Sequence, residues 1–234
     1  MQHWNGSIKF SKYAFSETSK WVSFLKKYGV VVLANTPHDS SDENRRFYNK
    51  LSKTLNTSIS SSMYGEIWDT AGDFGSPTTD TAYTNFYIPP HTDLNYVVNT
   101  PSYQIFTSVI EADIGGETVL VDGRSVAEEF KSCHPEAYDR LTKETFLFTC
   151  SENRYKCAHK IFDEETDIIH HNDGDMENVD IEEYKLWNDM TLDPYFQSMT
   201  NLMPGHTIVI NNHRVFHARN AFVGKRNLKG CYFN

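Results

Sequence analysis

Three residues of this sequence have the types and the spacing to hold a metal ion. His91 and Asp93 stand two residues apart, and His217 follows far downstream. In an extended strand, residues i and i+2 point to the same side, so His91 and Asp93 can converge on one point. Two imidazoles and one carboxylate form the facial triad of non-haem Fe(II) oxygenases, which leaves coordination positions open for a co-substrate and O2.

The tripeptide alone leaves other interpretations open. A histidine that is simply hydrogen-bonded to a neighbouring carboxylate gives the same pattern, and a zinc hydrolase uses the same ligand types. Composition narrows the field, because the 234 residues carry a net charge of −9. This charge disfavours a nucleic-acid partner and mildly favours cationic small molecules.

The cysteines and the first residues of the chain bear on the cellular compartment. The four cysteines form no CxxC pattern, which predicts a reducing compartment rather than a disulfide scaffold. Cys157 and His159 form a CxH pattern, but no partner pair supports a zinc site. No apolar run reaches the ~18 residues of a membrane span, and the first residues lack the apolar core of a signal peptide. We expect a cytoplasmic protein with no membrane partner, and a mitochondrial location is left open.

The hydrophobic pattern predicts an initial helical region followed by short strands. Helices are predicted over 16–29, 41–56, 125–130, 135–141 and 181–190, and strands over 30–34, 104–110, 118–121, 146–149 and 207–210. Glycine and proline turns separate the strands, which is typical of a mainly β jelly roll with flanking helices. The length fits one domain over residues 1–234, and the mouth of such a barrel can hold a site.

Residues 57–90 are polar and lack periodicity, but aromatic residues recur in them. These residues are Tyr64, Trp68, Phe74, Tyr83, Phe86 and Tyr87. A loop of this length is usually functional or disordered, and the aromatic residues favour a functional loop. The alternative is a lid whose rings simply pack on the core.

Three segments together resemble the taurine-dioxygenase-like superfamily. They read His-Thr-Asp-Leu at 91–94, Gly-Gly-Glu-Thr-Val-Leu-Val-Asp-Gly at 115–123 and Asn-His-Arg-Val-Phe-His-Ala-Arg at 212–219. More narrowly, the chain resembles the carnitine-biosynthesis branch, the trimethyllysine and γ-butyrobetaine hydroxylases, from about residue 20 onward. The resemblance implies a double-stranded β-helix fold, Fe(II), 2-oxoglutarate as co-substrate and ascorbate as reductant.

The resemblance also assigns roles to residues. His91, Asp93 and His217 would be the iron ligands. Arg226 would bind the distal carboxylate of 2-oxoglutarate, which suits a planar guanidinium that can bind it bidentately. Thr118 would assist with its hydroxyl group. The alternatives are an exposed charge at Arg226 and an ordinary β-branched strand residue at Thr118.

Relatives bind a quaternary ammonium group in a cage of rings, where cation–π attraction replaces hydrogen bonds. The matching positions here are Tyr64, Trp68, Tyr83 and Tyr232. Packing in the core is the alternative role for each ring. Asp80 suits the α-ammonium group of trimethyllysine and would repel γ-butyrobetaine, which presents only a carboxylate at that end.

The segment at 170–175 departs from the family pattern. Relatives usually carry an Asn-Asn pair followed by an arginine in this segment. Here only Asn172 matches, and the resemblance makes it a substrate contact. An acidic residue replaces the arginine. His170 and His171 are adjacent, so they point oppositely on a strand and do not share a metal ion. We expect them in the pocket wall or on the surface.

The resemblance implies Fe(II)- and 2-oxoglutarate-dependent hydroxylation of a trimethylammonium substrate, with a lean towards trimethyllysine 3-hydroxylation in carnitine biosynthesis. The alternatives are a γ-butyrobetaine hydroxylase, a hydroxylase of another amino-acid or ammonium substrate, and a non-catalytic trimethylammonium-binding protein. The expected partners are a small-molecule trimethylammonium or amino-acid substrate and O2. Many family members have an N-terminal zinc-binding domain that contributes to dimerisation; this sequence begins without it, and a homodimer is left open.

Overall fold

The structure is a computed structural model that describes residues 10–70, 81–150 and 155–234. In these ranges the helices are α1 (Thr18–Tyr28), α2 (Ser41–Thr54), α3 (Gly123–Cys133), α4 (Pro135–Lys143) and α5 (Glu182–Leu192), with short 3-10 helices at Thr81–Tyr83 and Pro194–Phe196. The strands are β1 (Lys12–Ala14), β2 (Val30–Ala34), β3 (Ile59–Ser60), β4 (Trp68–Asp69), β5 (Ile88–His91), β6 (Tyr103–Ile110), β7 (Ile114–Gly115), β8 (Thr118–Asp122), β9 (Phe146–Thr149), β10 (Lys156–His159), β11 (Phe162–Asp163), β12 (Ile168–Ile169), β13 (Gln197–Thr200), β14 (Thr207–Asn211), β15 (Val215–Arg219), β16 (Phe222–Val223) and β17 (Asn227–Phe233).

Two main sheets form the centre of the fold. The larger sheet has the order β1-β2-β14-β6-β17-β3, with β4 also paired to β17, and the smaller has the order β13-β8-β15-β5. The strands of the smaller sheet pair antiparallel, and strands distant in sequence are neighbours in both sheets. This arrangement of two packed sheets with flanking helices confirms the predicted jelly roll.

The alternation of apolar residues along the strands explains how the two sheets and the helices pack on one another. Val30 and Val32 on β2 pack with Leu120 and Val215 of the smaller sheet in one buried cluster. Val31 and Leu33, which alternate with them on β2, point the other way, into a cluster with α1 and α2. Helices α3, α4 and α5 cover the outer face of the smaller sheet. The candidate site residues His91, His217 and Tyr232 lie on β5, β15 and β17, which belong to these two sheets.

The helices lie where the sequence predicts them, with boundaries that differ by up to three residues: α3, predicted over 125–130, runs over Gly123–Cys133. Helix α1 ends before Gly29, which adopts a φ of 76° and donates its backbone N–H to Leu25 O at 2.7 Å. Helix α5 runs over Glu182–Leu192, close to the predicted 181–190. In the described part of the chain, no helix is both long and apolar enough to cross a membrane.

Candidate metal centre and its cavity

Strand pairing brings the two candidate histidine ligands together. His91 ends β5 and lies directly opposite His217 on β15, and the ring centroids are 4.2 Å apart. Pro89 and Pro90 precede His91 on β5 and cannot donate to a neighbouring strand, but β5 is the edge strand of its sheet, where proline is tolerated.

Asp93 does not lie on the strand, which differs from the prediction. Strand β5 ends at His91, and Asp93 lies in the following bend. The side chain of Asn212 holds this bend, since its Oδ1 accepts from Asp93 N at 2.8 Å and its Nδ2 donates to Asp93 O at 3.1 Å. Leu94 has a φ of 60°, a left-handed conformation that is costly for a non-glycine residue. The bend turns the Asp93 carboxylate towards both histidines.

The three side chains form one group of donors. Asp93 Oδ1 lies 3.4 Å from His91 Nε2, and Asp93 Oδ2 lies 3.6 Å from His217 Nε2. One ligand atom from each residue lies within 4.8 Å of the others. His91 Nδ1 lies 2.8 Å from Pro89 O, so it carries a proton, and Nε2 is the nitrogen that faces Asp93 and the common point. His217 Nδ1 is buried with no hydrogen-bond partner among the described residues. Two imidazole nitrogens and one carboxylate oxygen thus converge on one point, and this set of donor atoms fits a metal ion.

Burial and mutual attraction set the charges of this cluster. Burial opposes ionisation of Asp93, but the attraction of His217 and the hydrogen bond with His91 outweigh it and lower the pKa of Asp93 to about 2. Burial and the charge of His91 lower the pKa of His217 to about 4, against the attraction of Asp93. At neutral pH Asp93 is anionic and His217 is neutral, which are the protonation states that metal ligands need. Burial acts against the charged form of His91, but the hydrogen bond and the charge of Asp93 outweigh it and raise the pKa of His91, so a metal ion bound here would displace the proton from His91 Nε2.

A cavity of about 410 Å³ opens onto the three donors. It is lined by every other predicted site residue that the structure describes: Tyr64, Trp68, Tyr83, Thr118, Asn172, Arg226 and Tyr232. Asp80 lies outside the described residues. A volume of this size suits small-molecule ligands rather than a macromolecule.

Aromatic rings form one wall of the cavity. The rings of Trp68 and Tyr232 are 4.5 Å apart, and those of Tyr64 and Trp68 are 5.8 Å apart. Gly230 lies opposite Trp68 in the strand register, and a Cβ there would come within 2.5 Å of the indole, so the absence of a side chain lets the ring lie on β17. The Tyr232 hydroxyl donates to Asp93 Oδ2 at 3.0 Å. The ring wall therefore reaches the metal ligands themselves.

Two arginines, Arg219 buried and Arg226 partly buried, define another side of the cavity. Arg219 and Arg226 lie over the ring of Phe222, at 5.0 Å and 5.8 Å from its centroid. Burial lowers the pKa of both to about 10, and for Arg226 the charge of Arg219 contributes, so both remain cationic at neutral pH. No described carboxylate forms an ion pair with either arginine. Thr118 lies opposite Arg219 in the strand register. This side of the cavity suits an anionic ligand.

A turn that carries two carboxylates completes the lining. Asn172 Nδ2 donates to Asp175 Oδ2 at 2.9 Å, and Asn172 Oδ1 accepts from Gly174 N at 3.0 Å. Asp173 and Asp175 both line the cavity. Asn172 therefore shapes the turn as well as facing the cavity.

Residues 3–232 match the model of the taurine catabolism dioxygenase TauD, TfdA family. The chain belongs to this family. The match covers nearly the whole chain and confirms the superfamily to which the sequence was assigned. The TauD, TfdA family assignment also agrees with the arrangement of the three donors at the mouth of a jelly roll.

Named relatives and a solved structure extend this comparison. The chain is 30% identical to "Trimethyllysine dioxygenase" of Meyerozyma guilliermondii, over 92% of this chain and 57% of the relative. It is 27% identical to "Gamma-butyrobetaine dioxygenase" of a Pseudomonas species, over 74% of this chain and 50% of the relative. A crystal structure of asparagine oxygenase with Fe(II), a hydroxyasparagine and succinate matches with a TM-score of 0.74 at 11% identity, over 93% of this chain and 79% of that one. The chain thus spans about half the length of these sequence relatives.

The expectation for His170 and His171 is wrong. Both are almost fully buried, and neither lines the cavity. Tyr184 Oη and Trp187 Nε1 each lie 3.2 Å from His171 Nδ1, and Thr191 Oγ1 lies 3.3 Å from His171 Nε2. Burial lowers the pKa of each of the two histidines to about 3, so both are neutral core residues.

Sequence reasoning missed three residues of this TauD, TfdA family site. Asn212 holds the bend at Asp93, Arg219 lies on the side of the cavity that suits an anionic ligand, and Tyr96 lines the cavity. Asn212 and Arg219 stand within the 212–219 segment that carries the resemblance, but their contacts reach residues far away in sequence. Tyr96 follows Asp93 by three residues, and this nearness was its only sequence signal.

Proposed function

We propose that this chain catalyses the Fe(II)- and 2-oxoglutarate-dependent hydroxylation of a trimethylammonium substrate, with trimethyllysine 3-hydroxylation in carnitine biosynthesis as the leading candidate. The proposal depends on one observation: the His–Asp–His cluster, the two arginines and the ring wall share one cavity. Membership of the family and the names of the relatives support it.

Each side of the cavity has a separate task in this reaction. His91, Asp93 and His217 hold iron, and Arg226 with Thr118 binds the distal carboxylate of 2-oxoglutarate. Bound iron supplies the oxidising chemistry by which substrate, 2-oxoglutarate and O2 yield hydroxylated substrate, succinate and CO2. The protein orients the two organic ligands and excludes water from the cavity. Ascorbate as reductant stays a prediction.

The substrate side of the cavity favours a ligand with a positive charge at both ends. Tyr64, Trp68 and Tyr232 present ring surfaces to a trimethylammonium group. Asp173 and Asp175 add negative charge, which attracts the α-ammonium group of trimethyllysine and repels the lone carboxylate of γ-butyrobetaine. γ-Butyrobetaine remains the second candidate because of the Pseudomonas relative.

A substrate panel tests the proposal directly. The chain is supplied with Fe(II), 2-oxoglutarate, ascorbate and either trimethyllysine, γ-butyrobetaine or free lysine. Succinate and a product heavier by one oxygen are measured by mass spectrometry. We expect both with trimethyllysine and neither with lysine. Binding of trimethyllysine without succinate would identify a non-catalytic binding protein instead, and turnover without O2 consumption would identify a hydrolase.

Replacing Arg226 by alanine is expected to raise the KM for 2-oxoglutarate by roughly 10- to 100-fold, with a much smaller change in the KM for substrate. The loss of a charge-assisted, bidentate contact to a carboxylate has an effect of this size. Steady-state kinetics with each ligand varied in turn would measure it. Lys225→Ala removes the adjacent exposed charge and is the matched control. Equal effects of Arg226→Ala on both KM values would contradict the assigned role.

Replacing Asp173 by asparagine is expected to raise the KM for trimethyllysine by roughly fivefold and to leave the KM for γ-butyrobetaine unchanged or lower. Asp173 is partly exposed, and a charge about 4 Å away contributes about 1 kcal/mol when water screens it. Asp189→Asn on the exposed face of α5 changes net charge equally and serves as the control. If both substrates respond alike, Asp173 does not discriminate between them.

A further inference from the structure

The side chain of Arg219 contacts backbone rather than an acidic residue. It projects from β15 two residues beyond His217, on the same face of the strand. Its Nη2 donates to Thr84 O at 2.7 Å, to Phe86 O at 2.8 Å and to Thr81 O at 3.3 Å, and its Nη1 donates to Ala82 O at 3.3 Å. One guanidinium thus donates to four backbone carbonyls of residues 81–86. We call residues 81–86 the wall segment.

The wall segment borders the cavity directly. Thr81, Ala82 and Tyr83 line it, and Tyr83 is one of the four rings that the resemblance assigns to the ammonium cage. The backbone of the segment also joins the chain just beyond β15, since Phe222 N donates to Asn85 O at 3.1 Å. The position of the wall segment is therefore set from the strand that carries His217.

Burial of apolar side chains contributes little to holding the wall segment. Phe86 is 69% exposed, and none of residues 81–86 is buried. Hydrogen bonds from a charged donor are roughly twice as strong as neutral ones, and Arg219 itself is only 7% exposed. A lysine at this position would keep the charge but would lose the planar fork that reaches several carbonyls at once.

We propose that Arg219 is a positioning residue that fixes the wall segment against the metal-bearing strand, and so shapes the substrate side of the cavity while Arg226 serves the co-substrate. Two neighbouring arginines therefore have different tasks. This inference rests on the proposed function, which identifies the two ligands as the substrate and 2-oxoglutarate. The contact between Arg219 and the wall segment is independent of that identification.

Hydrogen exchange of the protein without ligands tests the contact independently of turnover. The amides of Thr84 and Phe222, which bond to Thr81 O and Asn85 O, report on the wall segment. In Arg219→Lys we expect both to exchange at least about tenfold faster, with amides of β8 unchanged. Arg140→Lys on the exposed surface of α4 is the matched control. Unchanged exchange at both amides would overturn the proposal.

Steady-state kinetics then distinguish two roles for Arg219: positioning the wall segment, or binding 2-oxoglutarate directly. We expect Arg219→Lys to raise the KM for substrate by about tenfold and the KM for 2-oxoglutarate by less than about twofold. An equal or larger rise for 2-oxoglutarate would make Arg219 a co-substrate ligand and overturn the proposal. Should Arg219→Lys fail to fold, Arg219→Gln is measured in the same two experiments, with the same expected results. Unprotected Thr84 and Phe222 amides in the wild-type chain would also refute the proposal. Absence of turnover in the wild type would refute the proposed function alone.

Discussion

Replacing Asp93 by alanine is expected to abolish iron binding and reduce turnover to background. Asp93 supplies the one negative charge among the three donors and lies between the two histidines, 3.4 Å and 3.6 Å from their Nε2 atoms. Replacing residues that merely orient metal ligands costs 10- to 100-fold in metal affinity, so removal of a ligand should cost at least roughly 100-fold. Titration calorimetry with Fe(II) under anaerobic conditions measures the affinity, and succinate formation measures turnover.

The Asp93 prediction has a close control and a clear contrary outcome. Asp139→Ala removes a carboxylate on exposed α4 and should leave both measurements unchanged. Melting temperatures of the two variants establish that each is folded. Iron affinity within about threefold of the wild type in Asp93→Ala would show that the cluster is a hydrogen-bonded His–Asp group and not a metal centre.

The pair of His91 and Asp93 was predictable from its spacing, whereas His217 was assigned as the third ligand from the 212–219 segment that carries the resemblance. The spacing of His91 and Asp93 places two donors close together whatever the exact backbone, and the apolar pattern of 207–210 predicted the strand that precedes His217. Gly29 marked the end of α1, since a left-handed residue ends a helix locally. The jelly roll followed from short strands between glycine and proline turns.

Contacts between distant segments account for what the sequence did not show. Asp93 was expected on a strand, but the side chain of Asn212 holds it in a bend. His171 was expected in the pocket wall or on the surface, whereas α5 supplies Tyr184 and Trp187 as buried partners. Arg219 stands in a recognised segment, yet its four carbonyl partners are brought to it only by the fold. No periodicity in the sequence encodes such pairs.

Replacing Asp122 by asparagine is expected to lower the free energy of unfolding by about 3–5 kcal/mol. Asp122, at the end of β8, is buried and accepts two hydrogen bonds from Arg214, from Nε at 2.8 Å and Nη2 at 2.7 Å. Arg214 also donates to Lys27 O at 3.0 Å at the end of α1. Loss of one partner leaves a buried guanidinium without its counter-charge, which is more costly than loss of the pair. Urea denaturation at constant m-value measures the change.

A double variant separates the net contribution of the ion pair from the cost of leaving one charge unpaired. Asp122→Leu together with Arg214→Met should recover much of the stability, because it removes both buried charges and keeps apolar volume. Glu183→Gln, which breaks the exposed Arg140–Glu183 pair, is the matched control and should leave the urea midpoint nearly unchanged. Since Arg214 directly precedes β15, the strand that carries His217, iron affinity should fall in Asp122→Asn and recover with stability in the double variant. Full stability of Asp122→Asn would mean that water reaches Arg214 and that packing alone positions the metal-bearing strand.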